Sequence, residues 1–155
     1  KITVSTIGIV PAMKHFLDNS ECHLAVSLHT PFEAERKMLM PVSHVHSIDD
    51  IIKEIKKHDL GRQRRVSFEY IVFNGINDTQ KHVNELARIL NGINCRINLI
   101  RFHEIPKTPL KGTDEKRLQE FKEALNAKGI ITTIRASRGQ DIDAACGLLS
   151  TKNHS

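Results

Sequence analysis

An α/β fold with a parallel sheet is what this sequence predicts, on two observations: five short β-branched or aromatic-rich runs, and amphipathic helical segments lying between them. Strands separated by helices imply right-handed crossovers and hence parallel pairing. Four or five such units are too few to close a (β/α)8 barrel, which leaves an open doubly wound sheet or an incomplete barrel.

The elements follow in order. "ITVST" (Ile2 to Thr6) reads as the first strand. "PAMKHFLD" carries Pro11 in its first turn and sets Val10, Met13, Phe16 and Leu17 on one side of a helix. "HLAVSLH" (His23 to His29) is the second strand, and "TPFEAERKM" after it offers a capping box, with Thr30 as N-cap, Pro31 at the first helical position and Glu33 three residues beyond the cap. In "SIDDIIKEIKKH" the spacing of Ile48, Ile51, Ile52 and Ile55 gives one apolar helical face behind Ser47 as the cap. "VSFEYIVF" (Val66 to Phe73) is a strand, and "DTQKHVNELARIL" a helix burying Val83, Leu86, Ala87 and Leu90. "RINLIRF" (Arg96 to Phe102) and "IITTIR" (Ile130 to Arg135) are strands around a helix, "TDEKRLQEFKEALNAKG", that aligns Leu118, Phe121 and Leu125 and stops at Gly129.

At 155 residues, 39% apolar and 26% charged, the chain has the size of one domain with a fair core. No apolar run approaches the ~20 residues of a membrane span and no signal peptide is visible, so a cytoplasmic location without membrane association is expected. Cys22, Cys95 and Cys146, odd in number and without zinc-like spacing, argue against a disulfide framework. The chain opens on Lys1 with no initiator Met and runs straight into a strand, which we read as a piece of a longer protein. Net charge is +5, and Lys53, Lys56, Lys57, Arg62, Arg64 and Arg65 form a basic cluster that suits either phosphate backbones or plain solvation of a helix end.

In either architecture ligands sit at the carboxyl ends of the strands. Those ends hold Ser5 and Thr6; Ser27, Leu28 and His29; Asn74 and Gly75; His103 and Glu104; Ser137, Arg138 and Gly139. Ser5, Ser27, His29 and His103 would form a polar collar of hydroxyls and imidazoles suited to a nucleotide or amino-acid ligand, although each also reads as a turn or capping residue. His44 and His46 alternate as a metal pair would, without a third ligand nearby. The common phosphate loops and the nucleophile elbow are absent. Cys22 and Cys95 sit at strand starts, where a small buried hydrophobe is expected. Cys146 is flanked by Ala144, Ala145 and Gly147, too small to crowd its sulfur, so a reactive thiol and a tightly packed helix both remain open there.

Read together, "STIGIVP", "LAVSLHTP", "LMPV", "FEYIVFNGIND", "INLIRF" and "RGQDIDAACG" resemble the carboxyl-terminal part of the RlmN/Cfr family of radical S-adenosylmethionine RNA methyltransferases. The resemblance covers nearly the whole chain and fades at "STKNHS". It implies a partial (β/α)6 radical-S-adenosylmethionine barrel of TIM-like type, entered here at about the third strand, with residues 1–149 as the carboxyl-terminal portion of the barrel domain and 150–155 as a tail. The family's C-x-x-x-C-x-x-C loop, which holds a 4Fe-4S cluster, has no counterpart in this sequence.

By the same resemblance Ser5, Ser27, Leu28 and His29 contact S-adenosylmethionine, and His103 stands where the family has an Asn contact. Cys146 matches the methyl-carrying cysteine, whose thiolate takes a methyl group from one S-adenosylmethionine. A radical derived from a second then removes hydrogen from the methylthio group, and the carbon radical adds to an adenine carbon. A second cysteine outside this chain releases the product. Adenine C2 has no acidic proton or lone pair, so a tethered carbon radical avoids the barrier to polar methyl transfer.

The run with Arg135, Arg138 and Gly139 before "DIDAACG" looks RlmN-like, which implies methylation of C2 of adenosine in 23S rRNA and tRNA; a Cfr-like C8 methyltransferase is the alternative. An external electron donor such as flavodoxin, a monomeric full-length protein and an inactive isolated chain are implied as well. Two competitors from other classes are a non-catalytic RNA-binding module using the basic cluster and a thiol redox protein, the latter lacking any C-x-x-C.

Overall fold

The computed structural model describes residues 3–6, 8, 10–19, 23–40, 46–58, 66–102 and 111–136. Five strands, β1 (Thr3–Thr6), β2 (His23–Ser27), β3 (Val66–Val72), β4 (Cys95–Arg101) and β5 (Ile131–Ala136), form one sheet in which every pairing is parallel. Their spatial order is their order in sequence. A doubly wound sheet reverses its strand order at a switch point. This one does not, so of the two architectures compatible with the pattern the incomplete barrel is the one formed. Successive right-handed crossovers then carry the helices to a single face.

Side-chain alternation shows which face that is. Val66, Phe68, Tyr70 and Val72 of β3 are fully buried and join Ile97 and Leu99 of β4 in the core. Against them pack Met13 and Leu17 of α1 (Val10–Asn19), Ile48, Ile51, Ile52 and Ile55 of α3 (Ile48–Lys56), Val83 and Leu86 of α4 (Gln80–Ile89), and Leu118, Phe121 and Leu125 of α5 (Glu115–Ala127). These are the apolar faces that the helical spacing predicts. The alternate positions on β2 to β5, Ser27, Glu69, Asn98 and Thr133, face the other way and are polar.

The cap expected at Ser47 forms, and a second, at Asp114, forms that the sequence reading did not name. Ser47 accepts a hydrogen bond from the Asp50 amide at 3.1 Å, and Asp114 accepts from the Arg117 amide at 2.7 Å. α5 ends where Gly129 adopts a φ of 87°. The capping box at Thr30 does not form. α2 spans Glu33–Leu39 with Phe32 as an N-cap that makes no side-chain bond. Thr30 instead accepts from the Phe32 amide at 3.2 Å and donates to Glu35 at 2.7 Å, while Glu33 accepts from the Ile48 amide at 2.7 Å and so ties α2 to the start of α3. Glu35 and the Phe32 amide take the Thr30 hydroxyl, and the distant Ile48 amide takes Glu33, in place of the cap.

Candidate functional site

The helix-free face carries a line of polar side chains across the carboxyl half of the sheet. Register places Ser27 opposite Glu69, Glu69 opposite Asn98, and Asn98 opposite Thr133, so the four are lateral neighbours. Thr133 donates its hydroxyl to Asn98 Oδ1 at 2.7 Å. One step further along β5, Arg135 reaches diagonally to Glu69, with Nη2 to Oε2 at 3.6 Å and both side chains mostly shielded. Nearer the amino ends of the strands, Arg96 Nε on the same face is buried with no hydrogen-bond partner among the described residues. A hydroxyl, a carboxylate, an amide and guanidinium groups on one face can bind a ligand that has both hydrogen-bonding and charged groups.

The rim of this surface is the turn that follows β2. Its backbone is unusual: His29 has a φ of 65°, and no other described non-glycine residue has a positive φ. A bulky residue in that region needs support from its surroundings. The support comes from β3 and the loop behind it. The amides of Leu28 and His29 both donate to the Glu69 carbonyl, at 2.9 and 3.3 Å. The Ile71 amide donates to His29 Nδ1 at 3.0 Å, and Asn77 donates from Nδ2 to the His29 carbonyl at 2.7 Å. On the other side of the turn, Arg36 is buried and donates to the Ser27 carbonyl at 3.0 Å and the His46 carbonyl at 3.2 Å. Burial lowers the affinity of its guanidinium for a proton, which the negative charge of Glu33 counters in part.

The collar anticipated from the sequence is therefore only partly of the expected kind. Ser27 lies at the end of β2 on the polar face, and Leu28 is buried in the turn. The His29 imidazole does not join a ring of exposed imidazoles: it is 5% exposed and its Nδ1 is committed to the Ile71 amide. Ser5 pairs through its backbone with Ala25 at the neighbouring strand position, and its side chain lies outside the described residues, as do His103, Cys146, Arg138, Gly139, His44 and Cys22. His46 Nδ1 accepts from the Val10 amide at 3.2 Å, so that ring is spent on the fold instead of on a metal. Among the described residues no group of three or more His, Cys, Asp or Glu is placed to hold a metal ion, and no helix is long and apolar enough to cross a membrane. In the basic cluster, Lys53 pairs with Asp49 at 2.9 Å on the open surface of α3; Arg62, Arg64 and Arg65 lie outside the described residues.

Glu69, Asn98, Thr133 and Asn77 were not singled out by sequence reasoning. A signal for the first was present: Glu69 is the one charged residue inside the otherwise apolar or small "VSFEYIV", and a carboxylate in the middle of a strand buried on both faces needs a partner. Asn77 has no such signature, because its role appears only when the loops are brought together.

No family model matches the chain. Among curated relatives it is 56% identical over 151 residues to a protein of Parabacteroides distasonis named "Probable dual-specificity RNA methyltransferase RlmN", a match covering 97% of this chain and 44% of that protein. A protein of the same name from Porphyromonas gingivalis is 54% identical over the same shares. Among solved structures, a radical SAM methyltransferase from Sphaerobacter thermophilus superposes with a TM-score of 0.82 at 39% identity, over 95% of this chain and 43% of that one. The chain thus spans less than half the length of the relatives it matches. Over that span its sequence and its fold are similar to those of the RlmN-like radical S-adenosylmethionine methyltransferases.

Proposed function

We propose that this chain works within a protein of its relatives' length as part of a radical S-adenosylmethionine enzyme that methylates C2 of adenosine in 23S rRNA and tRNA. The observation that carries this reading is 56% identity sustained over 97% of the chain to a protein named as an RlmN RNA methyltransferase. Residues 1–149 would then be barrel and 150–155 a tail.

The polar face fits an adenosyl and amino-acid ligand, since it offers a hydroxyl, a carboxylate and an amide in line and a buried guanidinium nitrogen lacking a partner among the described residues. Bound there, S-adenosylmethionine supplies the methyl group and, together with a 4Fe-4S cluster whose ligands lie outside this chain, the radical chemistry. Ser27 contributes its hydroxyl and the Leu28–His29 turn its backbone, with Ser5 and His103 as further contacts. Cys146 is the methyl carrier. It needs a thiolate to accept a methyl group and small neighbours to let the base approach, and Ala144, Ala145 and Gly147 provide the latter. An electron donor such as flavodoxin, a cytoplasmic location and a monomeric state belong to the same proposal, and the chain by itself is expected to be inactive.

The test is nucleoside mass spectrometry of RNA from a host lacking its own enzyme, complemented with the full-length protein. The wild type should yield 2-methyladenosine and Cys146→Ala none. Finding 8-methyladenosine instead would reassign the carbon; wild-type levels of product with Cys146→Ala would remove the thiol from the mechanism.

A further inference from the structure

The turn after β2 owes its shape to a residue 48 positions away. Asn77 is fully buried and uses its whole side chain: Nδ2 donates to the carbonyls of His29 at 2.7 Å and Ile71 at 2.8 Å, and Oδ1 accepts from the Phe73 amide at 2.8 Å. Its own carbonyl receives the hydroxyl of the buried Tyr70 at 2.5 Å. Asn77 is thus fixed from both ends. A second tie joins the same two loops. Glu35, on α2, accepts from Thr30 and from His82 Nε2, each at 2.7 Å, and His82 Nδ1 lies 2.6 Å from the Thr79 hydroxyl at the start of α4. Because a carboxylate can only accept, the proton of a neutral His82 sits on Nε2 and Thr79 is the donor to Nδ1.

The Asn77 bond meets His29 itself and the Glu35 tie holds the adjacent Thr30; the left-handed backbone of His29 is costly for a residue with a side chain. Backbone strain of this kind persists where the surroundings over-determine it, and it clusters at ligand sites. The loop behind β3 contributes no atom to the polar line of Ser27, Glu69, Asn98 and Thr133. Its effect there is exerted through the turn.

We propose that Asn77 is a positioning residue for cofactor binding: it clamps the His29 peptide in its left-handed conformation and so presets the Ser27–Leu28–His29 turn, with the His82–Glu35 pair as a second clamp on the same turn. This rests on the reading of that turn as an S-adenosylmethionine contact. When a binding-competent conformation is no longer the dominant one, apparent affinity falls in proportion to its population. The clamp therefore acts on the affinity for S-adenosylmethionine more than on turnover at saturation.

The experiment is calorimetric titration of S-adenosylmethionine into the cluster-loaded full-length protein, wild type, Asn77→Asp and His82→Gln, each with a thermal melt. Asn77→Asp keeps the acceptor for Phe73 and sets an oxygen against two carbonyls. It should raise Kd about tenfold or more at temperatures where it remains folded, if the competent turn falls to about a tenth of the population. His82→Gln, the milder change, should raise Kd about threefold by the same relation, and it decides the matter if Asn77→Asp does not fold. A purely structural role would lower the melting temperature and leave Kd unchanged, which would overturn the proposal. Failure of the wild type to bind would refute the cofactor reading itself, and the clamp with it; wild-type binding matched by both variants refutes the clamp alone.

Discussion

Asn77 donates its side-chain amide to the carbonyl of His29 at 2.7 Å, joining the loop after β3 to the turn after β2. That contact helps couple the two loops that bound the polar face, and it sits on the only left-handed non-glycine residue among those described. Replacing Asn77 with Ala would strand two buried carbonyls and one buried amide. Each orphaned group costs of order 1–3 kcal/mol, so a loss of at least about 3 kcal/mol is expected in urea denaturation of the protein.

The helix caps should behave independently. Ser47 and Asp114 each satisfy an amide of the first turn and lie on different helices, α3 and α5. Ser47→Ala and Asp114→Ala should each cost about 1 kcal/mol and the double variant about their sum. Strong non-additivity in thermal melts would mean that the two helices are coupled in a way their contacts do not suggest.

Cys95 is half-buried at the start of β4, and desolvation pushes its thiol from an ordinary 9.0 up to about 11. The folded value thus exceeds that of the unfolded chain. The neutral thiol contributes stability in full below about pH 9 and loses it as the pH rises through about 11. The stability difference between wild type and Cys95→Ala should therefore shrink between those limits. In alkylation mapped by peptide mass spectrometry, Cys95 should stay unmodified at pH 8 until the protein is unfolded.

Periodicity made most of the fold legible. Ile48, Ile51, Ile52 and Ile55 announced α3 and its buried face because a helix with one apolar stripe has few other ways to pack, and Ser47 marked its start. Parallel pairing followed from strands separated by helices. The choice between a doubly wound sheet and an incomplete barrel needed strand order, a long-range property that no local pattern encodes. Thr30 and Glu33 show the same limit at smaller scale: their spacing suits a capping box, yet the Thr30 hydroxyl goes to Glu35 and the Ile48 amide, 15 residues away, takes the Glu33 carboxylate. The site was legible at Ser27 as a strand end and illegible at Asn77 and Asn98, whose partners are 48 and 35 residues away. His29 belongs by sequence to a polar collar at the strand ends; in the fold its ring is buried and accepts from the Ile71 amide.

In the proposed reaction Cys146 carries the methyl group. The most direct test is mass spectrometry of the Cys146 peptide from the full-length protein, expressed with the presumed resolving cysteine changed to Ala and with its cluster loaded. One added methyl group on that sulfur, or an adenosine cross-linked to it, is the result predicted. An unmodified thiol under those conditions would contradict the claim, returning Cys146 to the role of a small buried hydrophobe and leaving the family likeness to describe the fold alone.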